Sequence, residues 1–239
     1  MAVGDHSDQT VFHEPGLHQL IIELTGWSMA RSPSFFDRWS VSYDRERLQQ
    51  STYAPIHDEV LRRLAETKPG RILDLGCGTG QLTKRMIDTF PAAGVVGTDL
   101  SSGMLTKAAD RLSADRTGGA VLVRSDAQRL PFAAGSFDVI TCTESFHWYT
   151  DQAATMETLR ELLVPGGRLL VASVATITGI GEDVLRFVSQ LGGTPIRALT
   201  GDHMRAVVEK AGLTVLDQRR IRRPGFLPPP IFTEAVRED

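Results

Sequence analysis

Three acids and three glycines in this chain are spaced so that they can surround one ligand. The glycines occupy alternate positions in ILDLGCGTGQLT: Gly76, Gly78 and Gly80, just after Asp74 in a short apolar run. Glycine loses more backbone freedom on ordering than any other residue, so this density needs a use. A strand ending in an acid, a glycine turn and then a helix make a dinucleotide-type crossover. The turn, with Cys77 inside it, lets a ligand lie against the main chain. The helix start adds N–H groups and positive potential. Asp99 ends the next apolar run, where an acid can accept hydrogen bonds from both hydroxyls of a ribose. Asp126 ends a third, within reach of the exocyclic amine of an adenine, and Thr143 and Glu144 follow a fourth. Each acid alone reads as readily as a solvated turn residue. Together they place polar groups at four successive strand ends, the edge where open α/β sheets bind ligands.

The elements that must carry these residues are legible from periodicity. Apolar or β-branched runs at Arg71–Leu75, Gly94–Thr98, Ala120–Arg124, Phe137–Thr141 and Arg168–Ser173 alternate with helical stretches at Gln81–Phe90, Gly103–Ser113 and Thr150–Leu162. A shorter helix is expected near 127–131. This alternation predicts an α/β domain with a mostly parallel sheet buried on both faces. Val164-Pro165-Gly166-Gly167 reads as a turn into the next strand. Helices follow at about Glu182–Leu191 and Met204–Ala211, then strand candidates at Leu213–Arg222 and Ile231–Val236. Before the domain, residues 1–16 read as a mobile tail and 17–66 as a helical lid segment. A helix stripe there is formed by Leu17, Leu20, Ile21 and Leu24, and a second by Ile56, Val60 and Leu64 from Pro55 onward. The domain itself spans 67–239, with an insertion at about 175–200.

Composition narrows the function. The formal net charge is −3, and nothing resembles the basic face of a nucleic-acid binder. The densest basic run, Arg219, Arg220, Arg222 and Arg223, fits a solvated edge strand. The two cysteines, Cys77 and Cys142, read as small buried hydrophobes in a reducing, cytoplasmic setting. The histidines lack zinc-ligand spacing, so no metal is expected. No apolar run is long enough for a membrane span, and no signal peptide opens the chain.

A nicotinamide cofactor requires two residues between the second and third glycines of its fingerprint, whereas only Thr79 separates Gly78 from Gly80. The ordered set ILDLGCGTG (72–80), GTDLSSGML (97–105), SDAQRLPF (125–132), SFDVITCTESFHW (136–148) and LVPGGRLLV (163–171) instead resembles the class I S-adenosylmethionine-dependent methyltransferases. The resemblance is to their small-molecule branch, of ubiquinone/menaquinone-biosynthesis type, and covers roughly residues 35–175. It implies a Rossmann-like, seven-stranded, mostly parallel sheet with helices on both faces, the last strand antiparallel and an N-terminal helical lid. It implies S-adenosyl-L-methionine as cofactor and S-adenosyl-L-homocysteine as product. The first loop, Asp74 to Gly80, would hold it. Asp99 would take the ribose, Asp126 and the backbone of Ala127 the adenine edge, and Leu100 and Met104 the adenine face. Thr143 would complete the site. Tyr43, in a tyrosine-aspartate pair with Asp44, either reaches the methionine end or only packs in the lid.

Methyl transfer from a sulfonium is an in-line displacement, and the neutral thioether leaves without acid help. The protein must mainly align the reactants and exclude water. A base is needed where the acceptor loses a proton. His147 in TESFHWY is the candidate base; its other reading is a backbone hydrogen bond that shapes the loop. Glu144 either binds cofactor or orients His147, and Trp148 with Tyr149 reads as pocket wall or core. The acceptor pocket is expected from Phe35, Trp39, Glu144, His147 and Trp148, with the 175–200 insertion. A small organic acceptor, at oxygen before carbon or nitrogen, is the leading expectation. A nucleic-acid or protein methyltransferase, or a non-catalytic cofactor-binding protein, are the alternatives. Residues 17–31 fit either a lid or a contact with a second subunit, which leaves monomer and homodimer both open.

Overall fold

The structure is a computed structural model that describes residues 47–113, 120–191, 195–222 and 229–239. Tyr43, Phe35, Trp39 and the expected tail and first lid helix lie outside these residues. In chain order come α1 (Arg47–Thr67), β1 (Arg71–Leu75), α2 (Gln81–Thr89), β2 (Gly94–Asp99) and α3 (Ser102–Ser113). Next are β3 (Val121–Arg124), β4 (Phe137–Thr143), a single 3-10 turn (Phe146–Trp148), α4 (Gln152–Leu162) and β5 (Leu163–Ser173). The chain ends with α5 (Gly179–Leu191), α6 (Gly201–Lys210), β6 (Thr214–Arg220) and β7 (Ile231–Val236). Seven strands form one sheet in the order β3-β2-β1-β4-β5-β7-β6. Pairs from β3 through β5 are parallel, and β7 runs antiparallel to both β5 and β6, as the resemblance implied.

The alternation of side chains along each strand divides the core into two layers. Ile72, Val139, Leu170 and Phe232 face α1 and α2. Their neighbours Leu73, Ile140, Leu169, Val171 and Ala235 face α4 and α6. In α1 the stripe Ile56, Val60, Leu64 is fully buried on the first layer. Pro55 lies inside this helix, which starts two turns earlier than the sequence suggested. Both layers are covered by helices, which is why the central strands read as continuous apolar runs.

Three local expectations change in detail. No helix forms at 127–131: the Asp126 carboxylate accepts from Gln128 N at 3.0 Å and its carbonyl from Arg129 N at 2.9 Å. That is an Asx-type turn, and Pro131 stops any helix from growing beyond it. The Val164–Gly167 turn is embedded in β5, whose pairing with β4 jumps from Phe137↔Leu163 to Val139↔Arg168. Gly166, at φ 76, sits in the looped-out stretch. In the insertion, α5 begins earlier than expected, and an Ala175↔Leu199 bridge closes the insertion at its base. One side of the insertion packs Leu185 and Trp148 against Val174, Ile196 and Ala198, while Ile180, Val184, Phe187 and Val188 stay exposed on α5.

The lid helix α1 is clamped to the far edge of the sheet by charge. Glu234 on β7 is fully buried and accepts from Arg63 of α1 and Arg168 of β5. Arg63 also binds Asp217, and Arg219 on the edge strand β6 binds Glu59 of α1. The basic run is therefore partly a tie between β6 and α1 rather than only a solvated edge. Removing one partner of a buried pair leaves the other charge uncompensated. Glu234→Gln is expected to lower stability by about 3 kcal/mol, the lower end for a buried pair, because Arg168 is 35% exposed. Urea unfolding of the two proteins checks the value.

Candidate active site

The strand order reverses between β1 and β4, and the glycine loop leaves β1 at that point. Such a switch opens a crevice at the carboxyl edge. Here it is a cavity of about 260 Å³, lined by residues at or just beyond the carboxyl ends of β1 to β5. Gly78, Asp99 and Asp126 share it, together with Asp74, Gly76, Cys77, Leu100, Met104, Ala127, Thr143, Glu144, His147 and Trp148. Gly80 sits just outside the lining.

Beneath the loop lies Asp74, paired in register with Thr141. Its carboxylate accepts from Thr83 Oγ1 of α2 at 2.6 Å and from Thr141 Oγ1 of β4 at 3.0 Å. One buried group thereby joins three elements. Burial pushes its pKa up to about 6, against the pull of the two hydroxyls. Cys77 N donates to Thr98 O at 2.8 Å and fastens the loop to β2, and burial, with Asp74 and Asp99 nearby, holds its thiol well above the usual range. Cys142 is buried, its thiol pushed up to about 11, and packs as a small hydrophobe as expected, whereas Cys77 is part-buried and lines the cleft.

The glycines answer different demands. All three have positive φ. At Gly76 a Cβ would stand 2.6 Å from Ser145 Oγ, because Ser145 bonds Leu75 O and Tyr149 OH at 3.2 and 3.1 Å directly above the turn. At Gly78 a Cβ would meet nothing within 4 Å. Main chain is left bare toward the cleft there, which is the space a ligand would use. Gly80 opens α2 and packs on Ala108 of α3, where a Cβ would approach within 3.0 Å.

Asp99 is oriented before any ligand arrives. Its Oδ2 accepts from Gly78 N at 3.0 Å and its Oδ1 from Ser101 N at 2.8 Å. Leu100, 41% exposed, and Met104, 3% exposed, give the same end of the cleft an apolar wall. Thr98 Oγ1 and Ser125 Oγ are buried with no hydrogen-bond partner among the described residues, and both residues line the cleft. Buried polar atoms are normally satisfied, so unsatisfied ones beside bare main chain fit a site built for a polar ligand.

Across the cleft, Glu144 takes a left-handed φ of 53 as β4 ends, and its N–H donates to Ala172 O at 2.7 Å. Non-glycine residues rarely hold such a φ unless the surroundings force it. His147 is 4% exposed, its Nδ1 lies 3.3 Å from Ser173 Oγ, and its ring packs on Trp148 at 4.8 Å. Its carbonyl accepts from Arg197 N at 2.8 Å, which ties the 3-10 turn to the insertion. So the imidazole bonds a side chain on β5, while the backbone does the shaping of the loop.

Sequence reasoning passed over several lining residues. Tyr53 and His57 come from α1, beside its buried stripe, at i and i+4. Ser145, Tyr149, Val174 and Ile196 also line the cleft. The i, i+4 aromatic pair next to an apolar stripe was visible in sequence for the first two, but not which neighbour that flank of the helix would face. Among the described residues that line the cleft, the acids are Asp74, Asp99, Asp126 and Glu144, and there is no lysine or arginine.

Two expectations follow. Gly76→Ala forces Ser145 aside and strains φ, so it should unfold at markedly lower temperature than Gly78→Ala, which carries only the φ penalty of about 1 kcal/mol. Gly78→Ala should keep the fold and lose ligand affinity; differential scanning calorimetry and titration calorimetry separate the two. For Asp74, a folded pKa of about 6 exceeds the unfolded value of about 4. The folded state therefore binds the extra proton between these values, and stability falls as pH rises from about 4 to about 6. Relative to Asp74→Asn, the wild type should lose roughly 2–3 kcal/mol across that window, measured by chemical unfolding at each pH.

A family profile described as "Methyltransferase domain" matches residues 72–167. The malonyl-[acyl-carrier protein] O-methyltransferase of Geobacter sulfurreducens is 30% identical over 190 residues, 74% of this chain and 67% of that protein. The demethylmenaquinone methyltransferase of Thermus thermophilus is 40% identical over 107 residues, 44% of this chain and 48% of that one. The chain thus spans between about half and two thirds of the length of these relatives. Among solved structures, the N-methyltransferase NodS of Bradyrhizobium japonicum, in complex with S-adenosyl-L-homocysteine, superimposes with a TM-score of 0.68 at 16% identity, over 86% of this chain and 98% of that one. Cleft, strand order and relatives agree: the chain belongs to the class I S-adenosylmethionine-dependent methyltransferases, in their small-molecule branch.

Proposed function

We propose that this protein transfers a methyl group from S-adenosyl-L-methionine to a small organic acceptor, with oxygen favoured over carbon or nitrogen, in a reducing cytoplasm. The observation that carries the reading is the charge of the cleft: among the described residues, four acids with no lysine or arginine, and bare main chain at Gly78. Such a lining favours a cationic nucleoside and disfavours the pyrophosphate of a dinucleotide. When bound, S-adenosyl-L-methionine supplies an electrophilic methyl group on a cationic sulfur.

The chain's own residues supply binding, alignment and a dry pocket. Asp99, already aimed by Gly78 N and Ser101 N, is suited to both ribose hydroxyls. On this reading Asp126 and Ala127 take the base edge and Leu100 and Met104 its face; that all four line the cleft supports it. Cys77 of the loop and Thr143 at the end of β4 line the same cavity. Before Arg47 the reading assigns Tyr43 to the methionine end and Phe35 and Trp39 to the acceptor. Trp148, Val174 and Ile196 form an apolar rim where an acceptor would enter. If Nδ1 of His147 donates to Ser173, its Nε2 carries the lone pair that takes a proton from an acceptor hydroxyl. That role is what favours oxygen, and the names of two relatives, the malonyl-[acyl-carrier protein] O-methyltransferase and the 27-O-demethylrifamycin SV methyltransferase of Amycolatopsis mediterranei, support it.

Titration calorimetry with S-adenosyl-L-methionine and S-adenosyl-L-homocysteine is the first test, followed by an acceptor screen that reads product release. Absence of binding at millimolar concentration would sink the reading. On an acceptor found this way, His147→Ala should lower kcat by about 10²–10⁴ with cofactor affinity within about twofold. Unchanged turnover would remove the base and leave alignment alone.

A further inference from the structure

The candidate base and the candidate acceptor wall come from segments far apart in the chain. His147 sits on the 3-10 turn, and Ile196 reaches the same cleft from the insertion. Neither segment belongs to the sheet. One part-buried side chain outside the cleft lining touches both. The amide nitrogen of Gln152, the first residue of α4, donates to Phe146 O at 3.1 Å and to Arg197 O at 2.8 Å. That nitrogen carries two N–H donors, and each meets a carbonyl, which can only accept. The start of α4 is itself held: Asp151 accepts from Ala154 N at 2.9 Å, and Thr155 Oγ1 donates to Asp151 O at 2.7 Å. The cap therefore needs nothing from Gln152. Further bonds run outward from this anchor. Arg197 N donates to His147 O at 2.8 Å, and Ile196 N to Ser189 Oγ of α5 at 2.8 Å. Phe146 is fully buried and meets Tyr149 edge-on at 5.7 Å.

We infer that Gln152 is a positioning residue for the function proposed above: its amide locks the turn that carries His147 to the segment that carries Ile196, so that base and acceptor wall keep one spacing. The inference rests on that function, in which the protein's main task is alignment. A misplacement of about 1 Å can cost about a hundredfold in rate. Ser173 meets the imidazole from β5, and Gln152 fixes the backbone from which the ring projects. Because Ser189 ties Ile196 to α5, a shift of the insertion reaches the base through this amide. A glutamate has the shape of glutamine and cannot do the same work. Its ionised carboxylate would set acceptor oxygens against two carbonyls and leave both without a donor.

The test compares the full-length wild type with Gln152→Glu, which keeps the shape and loses the donors, and Gln152→Lys, which restores donors. Affinity for S-adenosyl-L-homocysteine, read by titration calorimetry, should stay within about twofold in all three, since the contacts are separate. In Gln152→Glu, hydrogen exchange at the Ile196 and Arg197 amides should speed about tenfold, the size of one hydrogen bond. The Leu73 and Ile140 amides of the central sheet should keep their rates. The imidazole nitrogen resonances of His147 should move, and Gln152→Lys should return them and the exchange rates toward wild type. On an acceptor found by the screen, kcat of Gln152→Glu should fall about tenfold or more. Equal acceleration at all four amides, an unmoved imidazole, unchanged kcat, or no recovery in Gln152→Lys overturns the assignment. The wild type alone gives a reading that needs no stable variant: the Gln152 carboxamide hydrogens should exchange slowly with water, and exchange at the rate of a solvated amide overturns it. A wild type that binds S-adenosyl-L-homocysteine while these contrasts fail removes the role of Gln152 alone. A wild type that binds none removes the methyltransferase reading, and this role with it.

Discussion

A single carboxylate fixes the relation between the two halves of the sheet. Asp74 ends β1 and takes hydroxyl donors from α2 on one side and β4 on the other. The glycine loop passes directly over it. Burying an acid is costly unless donors surround it, and its raised pKa shows that part of the cost remains. What the cost provides is a rigid floor at the switch point, where the tips of β1, β2 and β4 must keep a fixed distance for any ligand to touch all three. Thr83 and Thr141 do this through short, local bonds, so the geometry does not depend on loop packing.

From that floor the rest of the site follows in order. The turn needs Gly76 because Ser145, held by Leu75 O and Tyr149, occupies the space above it. Once the turn is set, Gly78 N points at Asp99, which fixes the second strand's acid against the loop. Gly80 then lets α2 and α3 approach closely. A motif that looks uniform in sequence therefore combines a steric gap, a bare contact surface and a helix junction. The lid side is held by a separate device, the Glu234 cluster, which ties α1 to β7 and β5. That clamp and the buried Ile56–Leu64 stripe together set the position of α1, from which Tyr53 and His57 reach the cleft.

Much of this was readable before any coordinates, and the reasons differ by element. The central strands announced themselves because helices on both faces force continuous apolar runs such as RILDL and DVITC. Asp99 and Asp126 were readable because strand ends and turn residues are tied to local spacing. The helix expected at 127–131 failed because an Asx turn competes with a helical first turn, and Pro131 settles the contest. His57 and Tyr53 were missed for another reason. Their role depends on which flank of α1 faces α2, a long-range fact carried by Ile72, Leu82 and Met86 packing under the Ile56–Leu64 stripe. The Glu234 cluster was equally hidden, since Arg63 and Glu234 are 171 positions apart.

The charge of the cleft bears on release as well as on binding. Two unit charges about 8 Å apart attract by roughly 2 kcal/mol at an effective dielectric constant near 20. Several acids around one cavity therefore favour a cationic ligand over its neutral counterpart by more than ten-fold, even after allowance for solvent. Methyl transfer converts a sulfonium into a thioether and removes that charge. On the proposed function, the lining that draws the substrate in has less hold on what remains, while the contacts proposed for Asp99 and Asp126, which line the cavity, do not change with that charge. Discrimination between the two ligands then rests on the field of the acids among the described lining residues.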